Sequence, residues 1–107
     1  MKLRIEDNTL RLRLSDAEVQ EFAATGRVAA AVHFGDAAGQ QLTYMLERAV
    51  VPAVRVRYAP GALTVLVPAA LADAWTATDQ NGFSEHVALA DAQQLRILVE
   101  KDLDCRH

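Results

Sequence analysis

Leu10-Arg11-Leu12-Arg13-Leu14 alternates apolar and charged side chains without a fault, and Ser15 ends the alternation. A period of two puts the leucines on one face of a strand and the arginines on the other, as in a half-buried antiparallel sheet. Ser15 and Glu18 then stand at capping-box spacing. The hydroxyl can accept from the third helical amide, and the carboxylate can reach back to the cap amide. Leu14 and Val19 occupy the two staple positions, while Val19, Phe22 and Ala23 recur at helical spacing. Gly26 follows as a residue that tolerates the positive φ of a helix stop.

The rest of the chain alternates in the same way. Leu3 and Ile5 begin a strand, and Glu6-Asp7-Asn8-Thr9 turns it into a hairpin with the leucine strand. Val28, Ala30, Val32 and Phe34 form one strand and Leu42, Tyr44 and Leu46 the next, across a loop bounded by Gly35 and Gly39. After Pro52 come Val54, Val56 and Tyr58, the turn Pro60-Gly61, then Leu63, Val65 and Val67. Pro68 suits the start of a second helix, where its missing N–H costs nothing. Leu71, Ala74, Trp75 and Thr78 give that helix one face, and Asp79-Gln80-Asn81-Gly82 stops it. Phe83, Val87 and Leu89, then Leu95, Ile97 and Val99, mark the last two strands, with Glu85 interrupting the first.

The order is therefore ββαββ, twice. Gln40-Gln41-Leu42 with Glu47 recurs as Gln93-Gln94-Leu95 with Glu100, and the same spacing carries Phe22 onto Trp75, Thr25 onto Thr78, and Leu12 and Leu14 onto Val65 and Val67. A fixed period recurring across several elements is the signature of a repeat. The expectation is one α+β domain, mainly antiparallel, with pseudo-repeats over 1–48 and 53–101. Its halves would form a curled sheet or barrel of about eight strands, whose closure would remove the edges, with two helices.

At 107 residues the chain is near the commonest size of a single domain. With 51% hydrophobic and 23% charged residues it can bury one core. The net charge of −3 disfavours nonspecific duplex binding, which rests on many Lys and Arg contacts to phosphate. Cys105 is the single cysteine, so no internal disulfide can form, and a reducing compartment is the simplest reading. Residues 1–7 lack a signal peptide's apolar core, and no apolar run approaches the ~20 residues of a membrane span. The cytoplasm is the expected location.

Leu10-Arg-Leu-Arg-Leu-Ser15 with Glu18, Val19 and Phe22, then Leu42-Thr-Tyr44, Trp75-Thr76-x-Thr78-Asp79-Gln80 and Leu95 to Asp102, resemble a family of short uncharacterised bacterial proteins over nearly the whole chain. That resemblance implies no activity and no functional residue. Its members often run on past the equivalent of Cys105 into an acidic, Pro-containing tail.

Candidate functional residues come from the polar faces. Arg4, Arg11, Arg13, Arg55, Arg57 and Arg96, with Glu47 and Glu100, lie opposite the apolar stripes. One reading is a solvated face with cross-strand ion pairs. The other is a groove or tunnel that holds phosphates bidentately, if the sheet curls with these residues inward. Such a tunnel would be similar to the triphosphate-tunnel enzymes, whose N-terminal Glu-x-Glu-x-Lys run is missing from residues 1–7.

His33 and His86 fall on polar-facing positions, and Cys105-x-His107 is a metal fragment without enough fixed ligands. No metal or cofactor is expected. Asp79, Gln80 and Asn81 form a polar loop that is the first choice for a partner contact. The functional expectation is a binding or regulatory module without catalytic activity, taking a protein or a small anionic ligand and compatible with a homodimer. A phosphate- or nucleotide-handling enzyme using the Arg/Glu face is the alternative.

Overall fold

The computed structural model describes residues 1–102; Cys105 and His107 lie outside the described residues. Ten elements follow the chain: β1 Lys2–Glu6, β2 Thr9–Leu14, α1 Asp16–Thr25, β3 Arg27–His33, β4 Gln41–Ala49, β5 Arg55–Ala59, β6 Ala62–Pro68, α2 Ala69–Ala77, β7 Gly82–Ala88 and β8 Gln94–Lys101. This is the α+β order read from the alternation. Three apolar markers fall just outside their strands: Phe34 after β3, Val54 before β5 and Leu89 after β7.

At α1 the local signals act as their chemistry dictates, whereas α2 buries Ala72 with Trp75 and leaves Ala74 and Thr78 of its expected face exposed. Ser15 caps α1, with Glu18 N–H donating to Ser15 Oγ at 3.3 Å and Ser15 N–H donating to Glu18 Oε1 at 2.9 Å. Gly26 closes the helix at φ 77°, and its N–H donates to Phe22 O at 2.7 Å. A side chain there would bear the left-handed strain that glycine avoids. Helix α2 starts from Pro68 without a side-chain cap and ends at Thr78 in extended backbone.

The single curled sheet or barrel is not what forms. The strands divide into two four-stranded sheets, a first in the order β1-β2-β8-β7 and a second in the order β3-β4-β6-β5. Hairpins remain antiparallel, but the central pairs, β2 with β8 and β4 with β6, are parallel. The reason lies in the helices. Each one lifts the chain out of one sheet and delivers it to the other, so every hairpin finds its central neighbour in the opposite half of the sequence. The helices also carry Phe22 and Trp75, which need burial. They take up core space between elements that a closed barrel would fill with its own strand side chains. Both sheets keep two open edges.

One hydrophobic cluster unites these layers. Leu12, Leu14, Ile97 and Val99 come from the first sheet and Val28, Leu46, Val65 and Val67 from the second. Val19, Phe22, Ala72 and Trp75 come from the helices. The registers correspond closely. Leu12 faces Val99 in the first parallel pair, and Val65 faces Leu46 in the second. Leu3 faces Leu12 and Val56 faces Val65. Loop bonds correspond as well: Arg48 N–H to Gly26 O at 2.8 Å beside Lys101 N–H to Asn81 O at 2.9 Å, and Thr43 N–H to Gly61 O at 2.8 Å beside Arg96 N–H to Asn8 O at 3.0 Å.

Candidate functional site

The alternation that buries one face of each sheet presents the other to solvent. On the first sheet, β1 contributes Lys2, Arg4 and Glu6, β2 contributes Thr9, Arg11 and Arg13, and β8 contributes Arg96, Leu98 and Glu100. The register sets Arg4 directly opposite Arg11 and Lys2 directly opposite Arg13. Like charges facing each other across a ladder destabilise it. Acidic groups offset part of that. Glu100 accepts from Arg11 Nε and lies 3.9 Å from Arg13, Arg4 reaches Glu6 at 3.2 Å, and Lys2 Nζ lies 2.7 Å from the buried Asp102. The bond to Glu100 raises the Arg11 pKa further, against a smaller effect of desolvation, so this guanidinium stays charged. No ion pair of the Arg96 side chain occurs among the described residues.

A concavity of about 430 Å³ lies over this face, lined by three arginines, Arg4, Arg11 and Arg96, two carboxylates, Glu6 and Asp7, and Thr9 and Leu98. A smaller one of about 120 Å³ is bounded by Lys2, Arg4, Arg11 and Arg13. Lys2 was not among the residues singled out from the sequence. Its signal was there, since it shares the parity of Arg4.

The remaining sequence candidates lie on the second sheet. Arg55 and Arg57 project from edge strand β5, and Arg57 meets Glu47 of β4 at 3.5 Å. Between them and the β3 edge the face is filled by Thr64, Leu66, Met45 and Ala29. The arginines expected to line one concavity are thus split between two outer faces, and with no closed sheet there is no lumen for them to line. A larger cleft of about 550 Å³ lies between the end of α1 and β4, bounded by Gly26, Arg27, Glu47 and Arg48. It gathers fewer cations, and its Arg48 is bonded to Asp73 at 2.9 Å.

The Asp79, Gln80 and Asn81 loop has structural work that the sequence did not disclose. Asn81 O accepts from the Trp75 indole at 3.1 Å and from Lys101 N–H at 2.9 Å, and Gln80 Nε2 donates to Gly82 O at 3.1 Å. Asp79 and Asn81 are nevertheless exposed. Gly82 is needed for close approach, since a Cβ there would lie 2.5 Å from Val99 O. His33 and His86 are exposed on different sheets. Among the described residues no group of three His, Cys, Asp or Glu could hold a metal ion, and no helix is long and apolar enough to cross a membrane.

Two small sheets joined through a helix pair, with charged side chains on their outer faces, define an α+β domain. The chain belongs to the family of unknown function DUF7009, whose model matches residues 1–107. No curated protein and no solved structure matches it.

Proposed function

We propose that this domain is a non-catalytic binding module that receives a small phosphate-bearing anion on the outer face of the first sheet. The observation that carries this reading is the pair of like-charge oppositions, Arg4 across from Arg11 and Lys2 across from Arg13. A purely structural face is better served by alternating signs. Four cations within two rungs of a ladder, with Arg96 alongside, suit an anion that accepts several N–H bonds at once, and Arg is the side chain best shaped for it. Glu100 holds Arg11 and Arg13 in place and Glu6 holds Arg4 while the face is empty, leaving Arg96 and the Thr9 hydroxyl as first contacts. The cytoplasm suits such a module, on the strength of the lone Cys105.

The corresponding registers and loop bonds support a duplication of the ββαββ unit, with the two halves exchanging hairpins. On that reading the anion face is a specialisation of one half. The equivalents of Arg4 and Arg11, Arg57 and Thr64, face each other without like charge.

Thermal unfolding with inorganic tripolyphosphate, against chloride of matched ionic strength, tests the binding reading. Binding to the native state must raise the midpoint as the ligand concentration passes the dissociation constant. An unmoved midpoint refutes it. Release of orthophosphate from tripolyphosphate or a nucleoside triphosphate, dependent on Arg11, would replace it with the enzymatic alternative.

A further inference from the structure

We infer that the open edge of β3 is a self-pairing edge, through which two copies of this chain join their second sheets into one continuous sheet of eight strands. Four strands lie at sheet edges: β1, β7, β3 and β5. An edge presents unpaired N–H and C=O groups, and charges placed along it normally prevent pairing. Three of the four edges are guarded in this way. β1 carries Lys2, Arg4 and Glu6, and β5 carries Arg55 and Arg57. β7 carries Glu85, opposite Ile97 on the core-facing side, and His86. From Val28 to Val32, β3 carries no charge, no proline and no glycine. Its register with β4 runs without a bulge from Arg27 to His33.

The direction of its free backbone groups can be assigned. Phe34 N–H donates to Gln40 O at 2.7 Å, and Arg48 N–H donates to Gly26 O at 2.8 Å. Both ends of the β3–β4 hairpin are therefore hydrogen-bonded at even-numbered residues of the β3 segment. Bonding alternates along an antiparallel pair. The backbone groups of Arg27, Ala29, Ala31 and His33 therefore point to the open edge, and all four residues are exposed.

The sequence on this edge is a palindrome, Val28-Ala29-Ala30-Ala31-Val32. Antiparallel pairing of two copies about Ala30 sets Ala29 against Ala31 and Arg27 against His33 of the second copy, each as a hydrogen-bonded pair. Val28 then faces Val32 of the second copy on the core side. This register uses all four outward residues, for about eight new N–H···O bonds. Its centre coincides with the centre of the palindrome. The only formal charge brought across the edge is Arg27, which meets His33 rather than its own copy. Such a contact is isologous and closes as a twofold dimer. It would also cover Val32 and Phe34, which are 41% and 72% exposed at the end of this edge. The arrangement does not involve the anion face, which lies on the first sheet.

Sedimentation equilibrium on the full chain, up to millimolar concentration, tests the inference. The expected mass rises with concentration toward twice the 11.7 kDa of the chain. Amides of Ala29 and Ala31 gain exchange protection over the same range. Ala31→Pro removes an outward N–H without touching the β3–β4 ladder, and Ala29→Lys installs the missing guard on the outer face. Each variant should sediment as a monomer with unchanged circular dichroism, and Ala29→Lys decides the matter if Ala31→Pro does not fold. A native chain that stays monomeric throughout would overturn the inference. So would a folded Ala29→Lys that still doubles its mass.

Discussion

Phe22 of α1 and Trp75 of α2 meet edge to face, with ring centroids 6.0 Å apart and planes at 61°. The two helices pack directly on one another through this contact, and Trp75 goes on to a second edge contact with Phe83 of β7 at 5.7 Å. Both rings are essentially inaccessible to solvent, and the only polar atom involved, the indole nitrogen, is satisfied by Asn81 O. The pair is thus a shared anchor for both ββαββ units.

Truncating either ring should be severe. Phe22→Ala and Trp75→Ala are each expected to cost about 3–5 kcal/mol, the usual loss for a fully buried aromatic. Because the rings touch, the double variant should cost less than the sum of the singles. Urea unfolding measures all three. One severe and one near-silent single variant would mean that the halves do not pack alike.

The cap of α1 makes a separate prediction. Ser15→Ala removes the acceptor for Glu18 N–H and should cost about 0.5–2 kcal/mol, read as a lower urea midpoint with an unchanged slope. An unchanged midpoint would refute the capping box.

Glu18 ties the same cap to pH. Desolvation pushes its pKa up, but the bonds from the chain's amino terminus and from Ser15 outweigh that and hold it below the ordinary carboxylate value of 4.5. A carboxyl whose folded pKa is lowered contributes stability above its unfolded pKa, and loses it as pH falls through the folded value. Glu18→Gln should therefore reduce stability near neutrality and flatten the part of the acid-side decline due to this group. Parallel stability–pH curves for the native chain and the variant would count against the assignment.

Gly82→Ala should destabilise although Gly82 lies at the start of an edge strand. The new Cβ would stand 2.5 Å from Val99 O and 2.9 Å from Glu100 Cγ, and the first of these is backbone that cannot swing aside. Either β7 peels from β8 or the ladder shifts. The prediction is a lowered melting temperature together with weaker anion binding, since Glu100 moves with β8 and is the acceptor that positions Arg11 and Arg13 of β2. An unchanged melting temperature would show that the strand end yields freely.

Much of this fold was written locally. Each strand appears in the sequence as an alternation, and α1 is marked at both ends by Ser15, Glu18 and Gly26. What alternation reports, however, is which face a residue occupies, and it says nothing about which strand lies alongside. The partnership of β2 with β8, between residues some 87 apart such as Leu12 and Val99, leaves no local trace. Hence the parallel central pairs and the two separate sheets were out of reach. The arginine set suffered the same way. Arg11 and Arg55 read alike as outward residues, but the pairing of β5 with β6 puts Arg55 on the other sheet. Gly82 read as a helix stop, and only the approach of Val99 O discloses its purpose.

Isothermal titration of tripolyphosphate into the native chain and two paired variants tests the central claim most directly. Arg4→Gln with Arg11→Gln strips the first sheet's face, and Arg55→Gln with Arg57→Gln strips the same number of charges from the second. The account predicts saturable binding that weakens as salt rises, is lost in the first variant and is kept in the second. Equal binding by both variants, or none by the native chain, would contradict it.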